Sequence, residues 1–176
     1  MDAILMEKML RRRSVRKYTG EAVSDEALDA VINAGLVAPT GRNKQSVEFI
    51  VLRDKDVLNT LSKCRPVGPG MLAGADAAVV VIGNPEESDV WTEDCSIAMA
   101  QMHLMADAIG LGSCWVQIRN RMYSEDKTTD SVVKELLAIP EKYAVEAILS
   151  LGMPAEHAPA RTVEELNREL VHTEKF

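Results

Sequence analysis

Apolar residues recur along this 176-residue chain with two different periods. Ile4, Leu5, Met9 and Leu10 fall on one side of a short helix from Ile4 to about Arg12. Leu28, Val31, Ile32 and Leu36 repeat at helical spacing from Asp25 to about Val37. Ser24 is the N-cap there, acids fill the first turn, and Pro39 ends the run. Asp54 caps a helix to about Cys64, and Ser124 to Leu137 forms another, closed by Pro140. Thr162-Val163-Glu164-Glu165 has the capping-box spacing of a terminal helix. The stretch from Thr92 to about Ile109 differs from all of these. Ile97, Ala98, Met99, Met102, Leu104, Met105 and Ala108 leave it little polar face, so it is central to the fold or lies in a subunit interface.

Strand-like runs lie between these helices. Phe49–Leu52 is one. Ala77–Ile82 is continuously apolar and therefore sits in the middle of a sheet. Ser113–Ile118 follows, and Ala144–Leu151 alternates through Val145, Ala147, Leu149 and Leu151. Thr40–Ser46, Arg65–Gly70 and Asn84–Asp89 are loops by their polar, Gly and Pro content. Helices and strands intermix without strict alternation. The expectation is one α+β domain over residues 1–176, a sheet of about four or five strands flanked by helices. No Gly-rich turn directly after a strand opens a helix, and Gly110-x-Gly112 precedes a strand, the wrong order for a Rossmann fingerprint.

Composition is ordinary for a globular chain, with 47% apolar and 27% charged residues and a net charge of −7. No apolar run approaches the roughly 20 residues of a membrane span. The N-terminal ten residues have too short an apolar stretch, and an acid too early, for a secretory signal, so cytoplasm is the default. Cys64, Cys95 and Cys114 match no zinc or disulfide framework and read as buried thiols. His103, His157 and His172 have no paired ligand spacing, and no metal site is expected.

One local feature departs from the acidic whole. Between Lys8 and Lys17, six of ten residues are cationic: Lys8, Arg11, Arg12, Arg13, Arg16 and Lys17. A helix end tolerates Arg11 to Arg13 through its dipole, but Ser14 and Arg16 lie beyond it. The knot is too small for a nucleic-acid face, so no nucleic-acid partner is expected. It is large enough for one phosphate, which wants planar guanidinium forks and a neutral donor beside them.

Four motifs, in this order, resemble those of the nitroreductase family. They are Arg12-Arg13-Ser14-Val15-Arg16-Lys17-Tyr18, Ala38-Pro39-Thr40-Gly41-Arg42-Asn43-Lys44-Gln45, Gly110-Leu111-Gly112-Ser113-Cys114-Trp115 and Leu151-Gly152-Met153-Pro154. The resemblance runs from about residue 5 to residue 165. It implies a dimeric α+β fold with a mostly antiparallel central sheet, FMN as cofactor and NADH or NADPH as electron donor. Arg12, Ser14 and Arg16 would hold the phosphate and ribityl chain, with Arg161 as a further cation, and Arg13 would meet the ring's polar edge. Pro39, Thr40, Gly41, Asn43 and Gln45 would reach the flavin of the other subunit. Trp115 would lie near the flavin, and a backbone N–H near Gln117 and Ile118 would approach its N5.

The resemblance also implies ping-pong transfer to a small-molecule acceptor such as a nitroaromatic, quinone or enone, with no catalytic side chain supplied by the protein. Alternatives on the same scaffold are a flavin-consuming or dehalogenating enzyme, or a non-enzymatic FMN-binding redox module. The chain departs from the family at Gly41, at Ser46-Val47 and at Ile118. It is also short, with room for a single helix between Gly112 and Pro140.

Overall fold

The four apolar runs pair into one antiparallel sheet. Its strands are β1 (Val47–Leu52), β2 (Ala77–Gly83), β3 (Gly112–Gln117) and β4 (Ala144–Gly152), in the order β1-β2-β4-β3. The computed structural model describes residues 3–176; Met1 and Asp2, part of the stretch examined for a leader, lie outside the described residues. The helices are α1 (Ala3–Arg11), α2 (Asp25–Leu36), α3 (Lys55–Leu61), α4 (Trp91–Ala108) and α5 (Thr129–Leu137). No helix among the described residues is long and apolar enough to cross a membrane.

β2 and β4 are central and buried on both faces, which explains the unbroken apolar run of β2. Ala77, Val79 and Val81 of β2, with Leu149 and Leu151 of β4, face α2 and α4. Ala78, Val80 and Ile82, with Ile148, face the other way, into a core shared with Leu58 and Leu61 of α3 and Val133 of α5. Side-chain alternation along each strand thus feeds two cores from one sheet. The β2–β4 register slips once. Val81 pairs with Ala147 and Ile82 with Val145, so Glu146 is the extra residue of a bulge.

α4 packs against α2, β3 and the sheet face, and buries Cys95, Ala98, Met99, Met102, His103 and Ala106. Gly35 of α2 lets the two helices close up: a Cβ there would come within 2.9 Å of the Met102 sulfur. All three cysteines are free and buried, and burial raises their pKa values, to about 11 at Cys64 and about 12 at Cys95.

Two helix expectations change. α5 starts at Thr129, not near Ser124, because Thr128 caps it by accepting from the Ser131 N–H. A bridge between Met122 and Thr128 closes residues 122–128 into a turn of their own. The terminal helix does not form. Glu165 accepts from the Thr162 N–H at 2.8 Å, half of a capping box, but only a turn and a short 3-10 segment at Arg168–Leu170 follow. Nearly every residue from 161 to 176 is exposed, so no apolar face is buried there to sustain a helix.

The segment after α1 runs extended across one end of the sheet. The Val15 N–H donates to Ser113 O at 2.9 Å, the Thr19 N–H to Met153 O at 2.9 Å, and the Ala155 N–H to Lys17 O at 3.0 Å. Gly112 and Gly152 are cross-strand partners directly beneath it. A Cβ at Gly112 would lie 2.8 Å from the Val15 side chain, and one at Gly152 would lie 2.7 Å from the Tyr18 ring. Gly112→Ala is therefore expected to destabilise the protein by about 1–3 kcal/mol through overpacking. Gly74→Ala, where nothing lies within 4 Å of the added carbon, is expected to be neutral or mildly stabilising. Urea denaturation of the two variants tests this; equal midpoints would contradict it.

Candidate functional site

The extended segment sorts the basic residues by side, as alternation along a strand requires. Arg12 and Ser14 turn toward α4 and β3. Arg12 meets His103, and Ser14 lies close enough to the Cys114 thiol to offset part of the rise that burial causes in its pKa. Arg13 and Val15 turn the other way and line a cavity of about 320 Å³ with Gly110, Leu111, Pro154 and His157. Arg13 donates to Pro159 O at 2.7 Å there. It is therefore separated from Arg12, although adjacent in sequence.

The cations also differ in what neutralises them. Arg11 is tied to α4: its Nε lies 2.9 Å from Asp107 Oδ2, and its NH2 donates to Asp107 O at 2.6 Å. Lys8 donates to Ala108 O. Both thus cap the C-terminal end of α4, where cations are favoured. Lys17 pairs with Glu156. Arg16 is exposed, and it makes no hydrogen bond or ion pair among the described residues. Arg161, held by its backbone N–H on Leu10 O at 3.0 Å, lies near enough to Arg12 to lower its pKa. Burial is the larger cause of that lowering. Arg161 lies beside Arg12, and Arg12 and Arg16 both act on the Cys114 thiol; among the described residues no carboxylate forms an ion pair with any of the three, although the charge of Asp107, bound to Arg11, is felt at Arg12.

Arg12 has an uncharged partner. One guanidinium N–H lies 2.8 Å from His103 Nε2, and His103 Nδ1 lies 2.5 Å from the Ser113 hydroxyl. His103 and Ser113 are buried. Burial, and then the charge of Arg12, push the His103 pKa down to about 4. The sequence marks His103 only as a satisfied buried histidine, and satisfied it is. Ser113 carries no sequence signal as its partner.

β3 is an edge strand, and its free edge continues from the basic patch. The Ile118 N–H donates to Glu146 O at 3.1 Å, which sets the phase of the β3–β4 ladder. One residue earlier the phase reverses, so the Gln117 N–H points out from the sheet edge. Of the two candidate N–H groups, Ile118 is thus committed to the bulge and Gln117 is open. The Ile118 side chain is fully buried in the α3–α5 core. The Gln117 side chain is also committed. It accepts from Trp115 Nε1 at 2.8 Å and donates to Glu146 Oε1 at 3.1 Å and to Arg119 O at 3.2 Å. Trp115 packs half-buried on the α4 side of the sheet.

The Pro39–Gln45 loop lies at the other end of the sheet, where β1 begins and β2 ends. Arg42, Asn43 and Gln45 all have positive φ, 54°, 55° and 52°. Such backbone costs about 1–3 kcal/mol per non-Gly residue and persists only when its surroundings enforce it. Three contacts do so. The Gly41 N–H donates to Asp94 Oδ1 at 2.8 Å, the Gln45 N–H to Thr40 Oγ1 at 3.0 Å, and Lys44 Nζ to Glu87 O. Gly41 fits because a Cβ there would lie 2.4 Å from Val90 Cγ2. Asn43 and Gln45 are left exposed at the tip. Asp94, buried in the first turn of α4, is a positioning residue that sequence reasoning misses, since an acid in a first turn, beside Glu93, reads only as a helix-dipole residue.

A titration follows from His103. Its folded pKa of about 4 lies below the ordinary 6.5, so the unfolded chain binds more protons between those values. Stability is fully present above about pH 6.5 and falls as pH drops toward about 4, by up to roughly 3 kcal/mol. His103→Gln is expected to flatten this part of the stability–pH curve relative to the parent, measured by urea denaturation across the window. Parallel curves would show that the imidazole is not held neutral.

Comparison with known proteins places this architecture. The Nitroreductase family profile matches residues 9–67 and 63–153. A protein of Archaeoglobus fulgidus, provisionally named NADH dehydrogenase/NAD(P)H nitroreductase, is 34% identical over 97% of this chain and 100% of its own length. The solved structure of an FMN-dependent nitroreductase from Clostridium difficile R20291 superposes with a TM-score of 0.95 at 41% identity, over 97% of this chain and 99% of that one. A provisionally assigned nitroreductase from Desulfovibrio desulfuricans, solved in complex with FMN, superposes with a TM-score of 0.80 at 27% identity, covering 100% and 99% of the two chains. With the profile spanning most of its length and the sheet order and helix layers already in place, this chain belongs to the Nitroreductase family.

Proposed function

We propose that the protein is an FMN-dependent oxidoreductase that takes electrons from NAD(P)H and works as a homodimer. The observation that carries the reading is the patch of Arg12, Arg16 and Arg161 at the start of the β3 edge. An FMN phosphate carries about −1.5 to −2 charges near neutral pH, which three arginines without carboxylate partners match. Ser14 adds a neutral donor between two of them. When bound, FMN supplies the hydride chemistry, so the chain needs no acid–base pair of its own.

The remaining residues bind, orient and shield. The outward Gln117 N–H is a fixed donor along the edge, and its side chain is locked by Trp115 and Glu146 so that the backbone cannot drift. Beyond the end of β3, Trp91, Arg119, Arg121 and Met122 line a cavity of about 450 Å³. Its size and its aromatic wall suit a planar electron-poor acceptor such as a nitroaromatic or quinone. Trp91 of α4, Asp130 of α5 and Ala144 and Val145 of β4 form its other walls, and the short 119–128 loop at its mouth leaves Met122 and Tyr123 about half exposed. That favours an open pocket over a covered one.

The dimer supplies what one chain lacks. Asn43 and Gln45 sit at the opposite end of the sheet from Arg12, so the partner's copy of this loop completes each site. Ile4, Leu5 and Met9 on α1, with Leu36 and Val37 at the end of α2, expose apolar surface that a partner would cover.

Purified protein is expected to be yellow, or to become so with added FMN, and to bleach with NADPH; a chain that stays colourless with FMN would overturn the reading. Arg16→Ala should weaken FMN affinity at least about tenfold with the fold intact, as loss of one charged phosphate contact implies. Co-expressing Arg16→Ala with Asn43→Ala tests the shared site. Random pairing leaves one undamaged site in the mixed dimer, restoring about a quarter of the parent's NADPH oxidation. No recovery above either variant alone would place both residues in the same subunit's site.

A further inference from the structure

We propose that His103 is a positioning residue for the phosphate grip, an uncharged brace that fixes Arg12 without neutralising it. The proposal rests on the FMN reading above. Guanidinium N–H groups only donate, so the Nε2 facing Arg12 at 2.8 Å must present its lone pair. The proton of the neutral ring is then on Nδ1, which donates to the Ser113 hydroxyl oxygen at 2.5 Å. Ser113 also anchors the basic segment, because its carbonyl accepts the Val15 N–H. One buried serine thus orients the ring and holds the backbone that carries Arg12.

The neighbouring pair shows what the brace avoids. Arg11 and Arg12 are adjacent, and they meet two α4 residues one helical turn apart, Asp107 and His103. Arg11 meets a carboxylate and is neutralised. Arg12 meets an imidazole, which brings no negative charge; Arg161 lies alongside, and Asp107 acts on Arg12 only through space, with its ion pair made to Arg11. A carboxylate at position 103 would hold the guanidinium equally well but would compete with a phosphate for it. The identity of residue 103 therefore sets selectivity for phosphorylated over unphosphorylated flavin.

The test compares FMN with riboflavin, which shares the ring and ribityl chain but has no phosphate. Both are titrated into the flavin-free full-length protein by fluorescence quenching. For His103→Leu, FMN affinity is expected to fall about tenfold or more, while riboflavin affinity changes by less than about twofold. His103→Gln retains an acceptor and a donor and should keep most of the FMN preference. H103E should lose it as His103→Leu does, although Arg12 stays anchored. Ser113→Ala, which leaves the ring in place but frees its tautomer, should give a smaller loss confined to FMN. It also serves if the leucine variant does not fold. A parallel fall for both flavins would make His103 merely structural, and unchanged FMN affinity in these variants would remove the brace; either result overturns the proposal while leaving the FMN reading standing. A parent protein that binds neither flavin would overturn both. The ¹⁵N shifts of the His103 ring in the flavin-free protein give a second readout. The brace requires the Nδ1–H tautomer, and an Nε2–H tautomer contradicts it.

Discussion

The Arg12–Thr19 segment lies flat on the end of the sheet because Gly112 and Gly152, opposite each other on β3 and β4, have no side chains. Val15 occupies the space above one and Tyr18 the space above the other. Tyr18 then reaches through to Ser150 Oγ at 2.7 Å and donates to Val15 O, which locks the segment from within. Burial raises the phenol pKa, so the hydroxyl stays a donor across the accessible pH range. With the backbone held at Ser113 and Met153, alternation alone determines which side chains turn toward α4 and which turn away. The sides taken by Arg12 and Arg13 follow from that contact, while Arg11 is set by α1 and Asp107.

Charge partition is the second consequence. An acidic chain has ample carboxylates to neutralise a cluster of six cations, and several are neutralised. Asp107 takes Arg11 and Glu156 takes Lys17. The α4 segment facing Arg12 instead offers His103, and the Ser14 side faces Cys114. The thiol and the imidazole facing this side of the segment are both kept neutral by burial. A carboxylate paired to Arg12 would satisfy its charge within the fold, and the proposed phosphate grip needs that charge left for an anion.

Most elements were legible because they obey local rules. The continuous apolar run of β2, the caps at Ser24 and Asp54, and the all-round apolar α4 each follow from a period or a terminus signal, and each is present. The terminal helix was not legible, because a capping box at Thr162 announces a start but cannot supply a surface to pack on. The start of α5 moved from Ser124 to Thr129 for a similar reason: the bridge between Met122 and Thr128 takes residues 122–128 into a turn, and no helical period announces it. At the site, Arg12, Ser14 and Arg16 were legible as a chemical cluster. Asp94, Ser113 and Glu146 were not, since each acts on a residue far away in the chain. The separation of Arg13 from Arg12 became visible only once the segment was known to be extended, not helical.

α4 measures the distance between the two halves of the site. Asp94 in its first turn holds the strained loop, and His103 holds Arg12. At 1.5 Å per residue, the nine-residue separation places these anchors roughly 14 Å apart along one buried helix. The strand direction gives the same sense: the loop enters at Val47 and Gly83, while the basic segment crosses at Gly112 and Gly152. Neither anchor can shift toward the other, because α4 is packed on the sheet and against α2 along its length. A rigid spacer of this kind fixes where each half-site faces but cannot close one on the other. In the proposed homodimer, a second copy related by a twofold axis would bring loop and grip together without bending either. The exposed apolar residues of α1 and of the α2 end would be the surface that such a dimer buries, since a site completed in trans needs an interface as firm as the helix that spaces it.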